Sequence, residues 1–122
     1  MARKLLENKD SCSMLHTINI IGTKWKPLIL YLLANKSVRF GKLLFFMEGV
    51  SRKVLTDQLR ELEEDGFILR QKFGEVPPRV EYSLTEKGKS FLPVLKQMCD
   101  WTIQWNPEIS FMDCKIVLPS ED

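Results

Sequence analysis

The sequence has no apolar run that could cross a bilayer. A membrane helix needs about 20 residues, and the longest apolar run here, Pro27 to Ala34, is far shorter. The N-terminal stretch MARKLLENKD holds no apolar signal core, so export is not expected. Cysteine is scarce: Cys12, Cys99 and Cys114 form an odd, widely spaced set, which argues against a disulfide scaffold or a zinc site. A reducing cytoplasm is the simplest setting. His16 is the one histidine and has no Cys or Asp cluster near it, so neither a metal centre nor a catalytic role is expected for it. Glycine-rich phosphate loops, a G-x-S-x-G elbow and H-E-x-x-H are all missing, so no enzyme, metal or cofactor is expected. Charge of one sign is not in large excess either. A formal net charge of +2 says little about partners unless the charges are segregated along the chain.

What is present suffices for one folded domain: 122 residues, 44% of them hydrophobic, with three tryptophans. A first helix is expected over SCSMLHTINII, capped by Asp10 or Ser11, with Leu15, Ile18 and Ile21 at helical spacing and Gly22 as its end. Thr23 can cap a second helix, Lys24 to Ala34, which carries Pro27 in or next to its first turn and is almost wholly apolar after Lys26. That helix should form the buried centre of the domain. Ser37 to Arg39 reads as an extended link, and FGKLLFFM as a third, short helix before Gly49, which suits a turn requiring positive φ.

Ser51 is a good N-cap for a fourth helix, SRKVLTDQLRELEEDG, stopped by Gly66. Val54, Leu55, Leu59 and Leu62 form its apolar stripe. Stepping 100° per residue puts Lys53, Asp57, Arg60 and Glu64 outward, flanked by Arg52 and Thr56. Its first half is basic and polar (Ser51, Arg52, Lys53, Thr56, Gln58) and its second half acidic (Glu61, Glu63, Glu64, Asp65). This order opposes the helix dipole, which favours acids at the start. It makes sense where the basic end meets phosphates and base edges, although a solvated amphipathic helix would carry similar charges.

FILRQKF alternates as a strand, with Phe67, Leu69, Gln71 and Phe73 on one side and Ile68, Arg70 and Lys72 on the other. Gly74 to Pro78 makes a turn stiffened by two prolines, and RVEYSL returns, with Val80, Tyr82 and Leu84 seating the hairpin. Arg79 at the tip could lie along DNA with Lys72 across the hairpin, or pair with Glu75 or Glu81. Thr85 caps the last helix, which runs to about Trp105 and which Pro93 should kink or divide. The expected class is α+β, mainly α: a helix-turn-helix with a two-stranded wing. Residues 1–105 form the DNA-binding domain, and residues 106–122 a C-terminal tail.

The set IIGTKWKPLIL, RFGKLL, GVSRKVLTDQLRELEEDGFILRQ and EVPPRVEYSLTEKGKSFLPVL, in that order, resembles the HxlR family of bacterial transcription regulators, winged helix-turn-helix proteins related to the MarR group. The resemblance covers roughly Cys12 to Trp105. It implies a homodimer joined by the first and last helices and bound to a near-palindromic operator in double-stranded DNA. By position it makes Ser51 to Asp65 the recognition helix and Phe73 to Arg79 the wing. Ser51, Arg52, Lys53, Thr56, Asp57, Gln58, Arg60, Lys72 and Arg79 become the candidate DNA contacts, with Asp57 able to accept from a cytosine amine. Many members carry a cysteine where this chain has Cys12, and some use it to sense oxidants or electrophiles. Cys12 is therefore a redox-sensor candidate, against the alternative of a small buried side chain. A small-molecule effector is not specified by the sequence. The chain departs from the family pattern at Thr23, usually Gly; at Ser13, often Pro; at Glu48, usually Pro; and at Leu44 and Phe45, usually basic or polar. Leu44, Phe45 and Phe46 make the third helix apolar, which suits a protein partner or the tail; with the acidic second half of the fourth helix they support an alternative reading as a protein-protein interaction module.

Overall fold

The structure is a computed structural model and describes residues 12–108. The elements in order are α1 (Ser13–Ile21), α2 (Lys26–Leu32), β1 (Val38–Arg39), α3 (Phe40–Phe46), α4 (Arg52–Glu64), β2 (Ile68–Phe73), β3 (Arg79–Leu84), α5 (Glu86–Ser90) and α6 (Leu92–Trp105). The sheet is antiparallel with order β1-β3-β2. The β2–β3 hairpin is the expected two-stranded wing, and the link residues Val38 and Arg39 add a third strand to the sheet by pairing with Tyr82 and Glu81 of β3.

α2 and the inner face of α4 form the centre of the core. Ile29, Leu30 and Leu33 from the α2 region meet Leu55, Leu59 and Leu62 of α4, all fully buried. Each such side chain contributes about 1.5–3 kcal/mol relative to exposure. Val54 does not belong to that stripe. It sits on the flank of α4 and is exposed, because at about 100° per residue it points roughly a quarter turn away from Leu55, Leu59 and Leu62. The wing alternation also shifts: Ile68 is buried and Leu69 exposed, while Phe67 is buried just before the strand begins. Tyr82 and Leu84 are buried and Val80 packs against the core, so β3 seats the hairpin as expected.

The first helix differs at its start. Its N-cap is Cys12, in extended conformation and with no side-chain hydrogen bond, not Asp10 or Ser11, which lie outside the described residues. Thr23 lies outside the helical turns of α2, but its hydroxyl still accepts from the Lys26 N–H at 3.1 Å. Pro93 divides the last helix: α5 and α6 meet at Phe91, and Pro93 occupies the first turn of α6, where it forfeits no intrahelical bond. Cys114 and most of the tail lie outside the described residues.

Candidate nucleic-acid interface

The fourth helix is fixed at both ends. Ser51 Oγ accepts from the Val54 N–H at 3.0 Å, a side-chain N-cap worth about 1 kcal/mol. At the other end Gly66 takes φ +85, a conformation easily reached only by glycine. The Gly66 N–H bonds to the Glu63 carbonyl and the Phe67 N–H to the Leu62 carbonyl, so the chain leaves in a Schellman turn. The Lys87 ammonium donates to the Asp65 carbonyl at 2.8 Å. Gly49, at φ +95, makes the turn between α3 and α4.

The exposed N-terminal part of α4 carries Arg52, Lys53 and Thr56. Arg52 sits over the Phe40 ring at 5.4 Å, which directs its guanidinium along the start of α3. Lys53 Nζ lies 3.0 Å from Asp57, and Arg60 lies 3.2 Å from the same carboxylate and 3.9 Å from Glu64. The hydrogen bond from Lys53, with further help from Arg60, holds the Asp57 carboxyl below its ordinary value. Asp57 is therefore an ionised acceptor whose oxygens are already in use, and a cytosine amine would have to share them. The Lys53–Asp57 pair is exposed and solvent-screened, so Lys53 can exchange it for a phosphate at small cost.

Gln58 is not on the outward face. It is half-buried, and its Oε1 receives the Thr23 hydroxyl at 2.6 Å. Next along the same flank, Glu61 reaches the ammonium of Lys26 at 2.6 Å; Lys26 is only 5% exposed and also donates to the Ile20 carbonyl at 3.2 Å. The flank of α4 is thus bolted to the α1–α2 turn. Sequence reading missed both links, because the partners stand far apart in the chain and an isolated lysine at a helix start gives no local sign of burial.

On the wing, Lys72 and Arg70 are exposed. Arg79 is held more tightly. It lies 3.1 Å from Glu75 and 3.2 Å from Glu81, and its guanidinium stacks 4.1 Å from the Phe73 ring. Of the two alternatives for Arg79, pairing with Glu75 or Glu81 is realised with both carboxylates at once. A phosphate would have to compete with two acids and an aromatic face. Leu44 packs against the core, whereas Phe45 and Phe46 are exposed, edge to face at 5.5 Å.

Comparison with known proteins bears directly on this arrangement. The family model described as HxlR-like helix-turn-helix matches residues 20–110. The chain belongs to the HxlR family. Among HxlR relatives, the uncharacterized HTH-type transcriptional regulator YkvN of Bacillus subtilis is 43% identical over 93 residues, covering 76% of this chain and 79% of YkvN. Two solved structures superpose well. The redox regulator HypR in its oxidized form is 39% identical with a TM-score of 0.72, covering 76% of this chain and 96% of HypR. Reduced YodB from B. subtilis, a transcriptional regulator, is 31% identical with a TM-score of 0.69, covering 80% of this chain and 96% of that one. These relatives are transcriptional regulators rather than enzymes. No helix among the described residues of this HxlR protein is long and apolar enough to cross a membrane.

Proposed function

We propose that the protein is a homodimeric regulator that reads a near-palindromic operator with the N-terminal half of α4. The observation that carries this reading is the Ser51-capped end of α4, which presents Arg52, Lys53 and Thr56 to solvent. In helix-turn-helix proteins that end of the recognition helix enters the major groove, and a dimer spans two half-sites about one helical turn apart. Lys72 is the wing residue placed to approach phosphate, with Arg60 and Asp57 at the edge of the contact. Dimerisation is supported by Val94, Met98, Trp101 and Trp105, all exposed on α6 at helical spacing, together with exposed Met14 and Ile18 on α1. A reducing cytoplasm suits such a protein.

Titrating binding against salt tests the assignment. A dimer uses each residue twice, so Lys53→Ala should lower the slope of log affinity against log salt by about 2. A slope equal to the wild type's would remove Lys53 from the phosphate contacts.

A thiol response is a second part of the proposal. Cys12 is half-buried at the start of α1, the helix assigned here to the dimer contact, and HypR and YodB offer redox-regulator parallels. Oxidation of Cys12 would alter the subunit contact and so the spacing of the two recognition helices. Diamide is expected to change operator affinity of the wild type at least severalfold and to leave Cys12→Ser unmoved; an undiminished response in the variant sinks the sensor role. The alternative of an interaction module has one observation behind it, Phe45 at 77% exposure beside Phe46. It predicts that no DNA fragment is enriched even at low salt.

A further inference from the structure

Thr23 lies in the turn between α1 and α2, and its side chain touches α4. The Thr23 oxygen accepts from the Lys26 N–H at 3.1 Å, while its proton goes to Gln58 Oε1 at 2.6 Å. That distance is ordinary for O–H···O and short for N–H···O, so the carbonyl half of the amide, not the NH2 half, faces Thr23. Thr23 accepts from Lys26 and still holds its hydroxyl proton, which the Gln58 carbonyl takes. The Gln58 Nε2 makes no hydrogen bond to the described residues, and it is not among the buried polar atoms left without a partner. The NH2 group is therefore open to solvent on the flank of α4, and it is the half of Gln58 that makes no bond to the described residues.

A glutamine free to rotate reads adenine with both halves of its amide, donating to N7 and accepting from N6. Resting on the DNA-binding reading above, we propose that Thr23 is a specificity-determining positioning residue: it takes the carbonyl of Gln58, so that Gln58 meets DNA as a donor alone. The acceptor is then guanine O6 or N7, or thymine O4, and adenine is not read bidentately. A glycine at position 23, with no hydroxyl, would leave the amide free to turn. The side chain added at the α1–α2 turn thus changes what α4 reads without touching the DNA itself.

Selection from a randomised duplex library with the full chain, followed by affinity measurement on the selected site, tests this. Thr23→Val removes the hydroxyl at constant shape, and Thr23→Ser keeps it. Thr23→Val is expected to raise adenine about fivefold or more at one symmetry-related pair of positions, Gln58→Ala to lose all preference there, and Thr23→Ser to select the wild-type site. A loss of affinity by one common factor on every sequence in Thr23→Val and Gln58→Ala, with the selected bases unchanged, overturns the specificity role and leaves Thr23 a structural brace. The inference is overturned if Thr23→Val and Gln58→Ala match the wild type in both affinity and selected bases, or if Thr23→Ser behaves as Thr23→Val. A wild-type protein that enriches no site overturns instead the DNA-binding reading on which the inference rests.

Discussion

Replacing Gly88 by alanine is expected to cost about 3 kcal/mol of folding stability, the upper part of the range for overpacking a tight site. The ordinary sign of Gly→Ala inside a helix is the reverse, a gain of up to about 1 kcal/mol from backbone propensity. Geometry reverses it here. Gly88 lies in α5, buried beneath the turn that leaves α4, and a Cβ there would collide with the Phe67 carbonyl oxygen and press on a Leu84 methyl. Neither neighbour can give way easily. The Phe67 carbonyl also accepts the Thr85 N–H at 3.0 Å, and Leu84 is buried in the core. Thermal unfolding should show the midpoint falling by roughly 10 °C or more. Gly41→Ala is the control: nothing lies within 4 Å of its added Cβ, so it should be neutral or mildly stabilising. Equal melting of Gly88→Ala and wild type would mean that the α4–α5 joint is looser than its geometry implies.

Removal of the Glu61 carboxylate should cost about 2 kcal/mol, and removal of the charge it faces much less. Breaking a fully buried pair from one side costs about 3–5 kcal/mol, since it strands a charge in a poorly solvated place. Lys26 is such a charge: its side chain is 6% exposed, and without Glu61 its remaining contact is the Ile20 carbonyl. Glu61 is 44% exposed on its side chain, so water partly replaces it and the cost falls below that range. The converse change is mild. Lys26→Met keeps the apolar stem in place and leaves Glu61 in contact with solvent, so a loss within about 1 kcal/mol is expected. Glu61→Ala combined with Lys26→Met should recover most of what Glu61→Ala alone loses. Urea midpoints of the four proteins decide this; a double variant as unstable as Glu61→Ala would show that the carboxylate acts through something other than Lys26.

The features legible in the sequence are those whose cause is local. Ser51 caps α4 because a hydroxyl three residues before an unsatisfied N–H can reach it. Gly66 ends that helix because a left-handed residue is needed there, and Pro93 breaks the last helix because its ring cannot lie in mid-helix. The leucine triad of α4 follows from its period. Features that depend on the approach of distant segments were not legible. Whether Arg79 reaches outward or folds onto Glu75, Glu81 and Phe73 is decided by the hairpin's own geometry. Gln58 has the composition of a base-reading residue, yet its orientation is set by Thr23, 35 positions earlier. The short extended stretch at Ser37 to Arg39 was legible, but its pairing was not: two residues are too few to show a partner, and they join the sheet because β3 passes beside them.

The bracing of α4 also bears on conformational entropy. With a hydroxyl cap at its start, a Schellman turn and the Lys87 contact at its end, and Thr23 and Lys26 along its flank, the helix has little backbone freedom left to lose when it docks. The ordering cost then falls mainly on long, exposed side chains such as Arg52 and Lys53, at about 0.5–1.5 kcal/mol for each one immobilised. On the proposed reading, a helix built this way would enter the groove with its shape already set, which would leave most of its contact energy for choosing among sequences.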